Sequence, residues 1–303
     1  LLCWYYSKFL CNFKTNGLGS IIKVATARFR QRSSFINHVI LFSFALVIIL
    51  PCLVLIFNSI KPSSEFGANP LGFPNEIRFM NYYDAWVNGN YNQIFMNSFI
   101  LVVGTLILNL TVSGMAAFSL AVLNPRGIQT AVVGLYLLVG ISIPAQLYIL
   151  PLFLMWKSLS LLDTRIGLII IYSALNAPFA TFLIRSYMLQ LPTELFEAAK
   201  LDGASTMQLF TKVALPLSWP VFLTTALIVS LNVWNEFLFA ITFIITDDFK
   251  PISSILFAFQ SRFANDYGLV SAASILMAAP IAILFMFFQR RFIAGLTSGA
   301  TKG

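Results

Sequence analysis

"EAAKLDGASTMQLFTKVALPL" runs from Glu197 to Leu217 and lies between two long apolar runs. It mixes small residues with both signs of charge and carries one glycine, Gly203, near its middle. Its start reads as a short helix. Pro192 suits a first helical turn, Glu194 and Glu197 favour the positive helix end, and Ala198 and Ala199 form helix with little bulk. Asp202-Gly203 reads as a stop, with Gly203 supplying a left-handed or tight turn. Ser205 or Thr206 then caps a second helix running to Pro216. Leu195, Phe196, Ala199, Met207 and Phe210 are available for packing. Two readings stand at this point: an ordinary interfacial helix pair, or a surface that lets another protein approach closely.

The surrounding chain is a membrane protein by composition. Its 303 residues are 58% hydrophobic and 10% charged, whereas soluble domains carry about a quarter charged residues. A spanning helix needs about 20 mostly apolar residues. Six stretches qualify, at 37–59, 96–123, 129–155, 165–190, 217–245 and 269–289, and leave no room for a separate soluble domain. Runs of this length exclude barrel strands, which alternate over about ten residues. The first long apolar run is too long and starts too late for a cleavable signal peptide.

Cys3, Cys11 and Cys52 form no C-x-x-C pair, so no disulfide framework is expected. His38 is the single histidine, which excludes a histidine-based metal site and any Ser-His-Asp set away from it. The dipeptide Gly-Lys is absent, so there is no phosphate-binding P-loop, and "GLGS" at Gly17 lacks the third glycine of a dinucleotide loop. The chain is expected to hold no cofactor and to catalyse no reaction.

Lysine and arginine orient membrane proteins. If residues 1–36 are cytoplasmic, thirteen of the 19 basic residues lie inside: Lys8, Lys14, Lys23, Arg28, Arg30, Arg32, Arg126, Arg185, Lys200, Lys212, Arg290, Arg291 and Lys302. Lys61, Arg78, Lys157, Arg165, Lys250 and Arg262 lie outside. Both termini are therefore expected in the cytoplasm of a multi-pass cell-membrane protein, and 191–216 becomes the largest internal cytoplasmic loop. The net charge of +8 is mostly this bias, so no nucleic-acid partner is expected. The aromatic start "LLCWYYSKFLCNF" reads as an interfacial segment or a floppy tail. "FMNYYDAWVNGNYNQIF" on the outer face reads as an interfacial helix or a contact for a soluble protein.

The fifth stretch holds the informative intramembrane polar residues. Thr225, Asn232, Asn235, Glu236 and Thr242 fall on one stripe if 217–245 is a single helix. An acid at the bilayer centre costs about 2.5–3.5 kcal/mol, so Glu236 faces a cavity or a partner. Two readings remain open: a structural pairing residue, or part of a cavity lining in which Asn232, Asn235 and Glu236 meet sugar hydroxyls and Trp234, Phe237 or Phe239 stacks on a pyranose. Asn109, Ser113, Gln146 and Asn176 are weaker candidates that interhelical bonds explain almost as well. Pro144, Pro151, Pro178 and Pro280 are expected to kink or break their helices.

"EAAKLDGAS…LPL" resembles the EAA signature of the membrane subunits of ATP-binding-cassette importers, with Glu197, Ala198, Ala199, Gly203, Leu215 and Pro216 in the signature places. "NSFILVVGT" at Asn97, "LLDTRIGLIIIY" at Leu161, "PTELFEAAKLDGAS" at Pro192, "VWNEFLFA" at Val233 and the ending "QRRFIAGLTSGATKG" resemble the carbohydrate branch, the maltose-type permeases. The resemblance covers about 36–303. It implies an all-α membrane protein with six transmembrane helices, of the type I importer permease fold, with a cytoplasmic coupling helix. A basic tail, 1–36, would precede one permease domain, 37–303.

The implied function is half of the translocation pore of an ATP-driven importer for oligosaccharides or other sugars. Glu197, Ala198, Ala199, Asp202 and Gly203 would dock on a separate ATPase. The implied partners are a sister permease, two ATPase subunits that bind ATP and magnesium, and an extracytoplasmic solute-binding protein. The rival class is an ion-coupled secondary sugar carrier.

Overall fold

The computed structural model describes residues 18–254 and 266–297, with the backbone alone for 18–36 and 290–297. The aromatic stretch at 1–13, part of the 247–268 loop and the last six residues lie outside the described residues. Among the described residues every regular element is helical. The long helices are α1 (Leu18–Ser59), α3 (Tyr91–Phe118), α6 (Arg165–Met188) and α10 (Tyr267–Thr297). Between them lie α2 (Met80–Asn88), α4 (Ile128–Ser142), α5 (Ile149–Ser158), α7 (Thr193–Leu201), α8 (Trp219–Asn235) and α9 (Leu238–Phe243).

Four segments are long and apolar enough to cross a membrane: Asn37–Ser59, Tyr91–Leu123, Arg165–Met188 and Tyr267–Gln289. The count reaches six when two bent pairs each form one span. These are Ile128–Ser142 with Ala145–Ser158, bent by 94°, and Thr206–Leu217 with Trp219–Asn235, bent by 78°.

Several boundaries differ from the sequence expectation. The third stretch, 129–155, is broken at Ile143-Pro144, because proline disfavours helix at the residue before it. Ile143 is accordingly extended, with φ −86° and ψ 125°. Pro151 breaks nothing: it sits in the first turn of α5, where its missing N–H is not needed. Pro178 and Pro280 lie inside uninterrupted helices. The second span starts at Tyr91 rather than 96, after Asn90 in the left-handed region at φ 48°. Helix α1 runs through residue 36; residues 20–50 contain neither glycine nor proline.

The centre of the bundle is α3 laid along α6, with α8 crossing both and reaching α10. Gly104 and Gly114 permit this approach. A Cβ at 104 would come within 2.6 Å of Ile169 Cδ1, and one at 114 within 2.7 Å of Phe222 Cζ. Small residues at such crossings are how membrane helices pack, because lipid supplies no hydrophobic drive between them. Asn109 donates to the Ser173 carbonyl at 2.8 Å and Ser113 to that of Ala177 at 3.4 Å, tying α3 to the turn before Pro178. Gly114→Ala is expected to lower stability by roughly 1–3 kcal/mol through overpacking, read as a lower thermal midpoint in detergent. An unchanged midpoint would show that the Phe222 ring yields freely.

Candidate functional site

The segment that opened the sequence reading folds as a helix, a turn and a second helix. Pro192 is the N-cap of α7 rather than a first-turn residue. Glu194 in the first turn and Lys200 in the last match the helix dipole. Past Leu201 the N–H of Gly203 donates to the Lys200 carbonyl and that of Ala204 to the Ala199 carbonyl, both at 3.0 Å. This Schellman pair needs a left-handed residue at its corner, and Gly203 supplies it at φ 78°.

Ser205 then caps the next helix in a reciprocal box. Its Oγ accepts from the Gln208 N–H, and its own N–H donates to Gln208 Oε1 at 2.8 Å. The second helix begins at Thr206–Gln208, widens to a π-helix over Leu209–Ala214 and ends at Leu215–Leu217.

The predicted coupling residues divide by face. Glu197, Ala198, Asp202 and Gly203 are exposed, whereas Ala199 is half-buried against the bundle. Phe196 is buried, with its ring centroid 6.5 Å from that of Phe118, which in turn lies 5.5 Å from Phe210. Phe118 is the last residue of α3, so this aromatic group joins the loop to a membrane span. Leu201, which sequence reasoning passed over, is 90% exposed, and Met207 and Leu195 are exposed as well. Leu201 is five residues from Phe196, about 140° round the helix, and that angle is the signal that could have found it. The result is a knob with an apolar tip, fixed at its base by aromatic packing.

The intramembrane polar residues are arranged differently from the expected single stripe. Helix α8 ends at Asn235, and Glu236 is extended, with φ −69° and ψ 121°. Thr242 therefore lies on a separate short helix, α9, and Thr225 is fully buried on α8. Glu236 accepts from the N–H groups of Phe239 at 2.9 Å and Ala240 at 3.1 Å, so its carboxylate starts α9. It also accepts from the Tyr172 hydroxyl on α6 at 2.7 Å.

One turn away, Asn232 Nδ2 donates to Asn176 Oδ1 at 2.9 Å. Tyr172 and Asn176 are four apart on α6, as are Asn232 and Glu236 on the other strand of the contact, so two helical neighbours face two others. Asn232 and Asn235 are exposed and Asn176 half-buried. Trp234 and Phe239, also expected on the substrate path, are buried in the chain's own packing. Trp234 donates from Nε1 to the Met277 carbonyl at 3.1 Å and meets Phe95 edge-on, and Phe239 stacks on Phe243.

The far end of the bundle is held by polar staples. Arg165 donates from Nη2 to Asn97 Oδ1 at 2.8 Å and lies over the Phe249 ring, while Asn97 donates to the Asp248 and Lys250 carbonyls. Asp163 accepts from the N–H groups of Ile245 and Thr246 and from the Thr246 hydroxyl. Burial pushes the Asp163 carboxyl up, but these bonds and the charge of Lys250 outweigh it and hold the group below its ordinary value. "NSFILVVGT" and "LLDTRIGLIIIY" thus meet in space through Asn97 and Arg165. No cluster of three or more histidine, cysteine or acidic side chains suited to a metal occurs among the described residues.

A family profile, "Binding-protein-dependent transport system inner membrane component", matches residues 110–298, which include both the knob and the polar seam. The chain belongs to that family. The diacetylchitobiose uptake system permease protein NgcG of Streptomyces coelicolor is 32% identical over 280 residues, 92% of each chain. The arabinooligosaccharides transport system permease protein AraQ of Halalkalibacterium halodurans is 33% identical over 281 residues, covering 90% of this chain and 99% of that one. The fold matches a subunit of a bacterial ABC transporter involved in the import of the acidic polysaccharide alginate. That match has a TM-score of 0.75 and 22% identity, and covers 88% of this chain and 98% of the other. The permease is therefore a non-catalytic membrane subunit with the importer permease fold, with four to six spans among the described residues, and nothing in these likenesses favours an ion-coupled carrier.

Proposed function

We propose that this permease forms half of the membrane pore of a sugar importer and is driven by separate ATPase subunits that bind ATP and magnesium. The observation that carries the reading is the exposed knob of Glu197, Ala198, Asp202 and Gly203 with Leu201 at its tip, bolted through Phe196 to Phe118 at the end of α3. A docked ATPase that moves this knob moves the α3–α6 pair with it, a rigid lever between two states of one assembly. The basic-residue bias supports a cytoplasmic position for the knob and both termini. The expected assembly has a sister permease, two ATPases and an external solute-binding protein.

The similar uptake and transport systems named for diacetylchitobiose, arabinooligosaccharides and alginate support an oligosaccharide as cargo. Exposed Asn232 and Asn235, with Asn176, offer amide groups to sugar hydroxyls on the pore side. Glu236 positions the helix break behind them.

The test is reconstitution in liposomes. With all partners present, sugar and binding protein are expected to raise ATP hydrolysis and drive uptake, and removal of the ATPases is expected to abolish uptake. Transport that persists without ATPases and collapses with the proton or sodium gradient would establish the carrier alternative instead.

A further inference from the structure

Two adjoining cavities lie beside the knob and share Pro125, Arg126 and Arg185. The first, about 670 Å³, carries the charged groups: Arg126, Arg185 and Lys200 line it together with Asn124, Thr193 and Glu197, over a floor of apolar residues such as Val122, Leu189 and Phe196. The second, about 380 Å³, leads from it along the bundle and is walled by Gly134, Leu135, Leu138 and Phe182, between α4 and α6. A cationic pocket therefore opens into an apolar groove that follows the spans.

Three features make the polar end receptive to an anion. Among the described residues, none of Arg126, Arg185 and Lys200 forms an ion pair with a carboxylate, Glu197 included. Arg185 donates from its Nε to the Leu120 carbonyl at 3.4 Å. Helix α7 begins at this wall, through Thr193, and has no side-chain cap on its first N–H groups, which leaves partial positive charge there. With Glu197 counted, the lining carries a net charge of +2, from three cations and one carboxylate.

We propose that this groove binds one anionic phospholipid. Its phosphate sits among Arg126, Arg185 and Lys200, and one acyl chain lies against Leu135, Leu138 and Phe182. The inference rests on the inward placement of the knob for the leaflet it names, the cytoplasmic one. Basic pockets between spans on that side are where anionic headgroups bind. A soluble phosphate ester would satisfy the cations but would leave the apolar groove unused, which favours the lipid. Because Phe196 and Lys200 on α7 line the pocket, a bound headgroup would also buttress the coupling helix.

The purified importer complex, carrying Arg126→Gln alone or with Arg185→Gln, is compared with the unaltered complex in nanodiscs of phosphatidylcholine with or without phosphatidylglycerol. Retention of phosphatidylglycerol is read by native mass spectrometry and sugar-stimulated ATP hydrolysis is read in parallel. Arg126 is an exposed loop residue, so the single variant is expected to fold. Each cation removed is expected to weaken retention about fivefold, and both together about 30-fold, with hydrolysis no longer responding to the lipid.

Equal retention in all three proteins would overturn the proposal, including the case in which the sister subunit fills the groove. Displacement of the lipid by millimolar inorganic phosphate would assign the pocket to a soluble phosphate ester and overturn the lipid. With the same complex reconstituted into sealed vesicles, maleimide labelling of Ser205→Cys from one side reports the orientation, so a wrong leaflet is distinguished from an absent site.

Discussion

Replacing Gly203 by aspartate is expected to cut ATP-driven uptake about 100-fold while leaving the protein in the membrane, a loss equivalent to about 2.8 kcal/mol of docking free energy. Among the described residues, and apart from its two chain neighbours, nothing lies within 4 Å of a Cβ built at this position. The fold therefore has room for a side chain, and aspartate tolerates the left-handed region better than most residues. The local conformational cost is only about 1–2 kcal/mol. The damage falls on the other side of the corner. A second carboxylate next to Asp202 would meet the ATPase at closest approach and be desolvated there without a partner. Gly203→Asn isolates the charge: it keeps the left-handed preference and is expected to lose less than tenfold. Normal uptake by Gly203→Asp at wild-type membrane levels would mean that this corner touches nothing that drives transport.

Glu236→Ala is expected to destabilise the subunit by about 3 kcal/mol or more, because three donors lose one acceptor. Two are the backbone N–H groups that open α9 and the third is the Tyr172 hydroxyl. Each unsatisfied buried donor costs about 1–3 kcal/mol. Uptake should fall with it, since the break between α8 and α9 sets the exposure of Asn232 and Asn235. Glu236→Gln keeps an acceptor oxygen for one or two of these donors and should restore much of the thermal midpoint. If alanine leaves the midpoint unchanged and alters only uptake, Glu236 works in the pore rather than in the scaffold.

The two halves of the site differed in how readable they were. The knob was legible because its devices are local. Asp202-Gly203 announces the left-handed corner, and Ser205 with Gln208 three residues on is a cap that depends on nothing else in the molecule. The seam was not legible, because its devices are tertiary. No glycine or proline marks the break at Glu236. It arises because a carboxylate reaches forward to the N–H groups of Phe239 and Ala240 while α6 supplies Tyr172, and a chain read linearly shows only an acid in an apolar run. Tyr172 itself reads as one more aromatic. Trp234 is expected at the pore by its nearness in sequence to Asn232 and Asn235, but residues one or two apart on a helix point to different sides, and Phe239 lies beyond the break on α9. The same limit applies to span three. Pro144 signals a break, but the 94° bend follows from how α4 and α5 pack on α6 and α9.

The most direct test of the coupling account is cysteine cross-linking at Ala198 in the intact importer. Ala198→Cys is expected to form a cross-link to an ATPase subunit, and to become inaccessible to maleimide once the ATPases are bound. A cysteine at 198 that stays open to maleimide in the assembled, transporting complex, and that links to no ATPase, would contradict the lever.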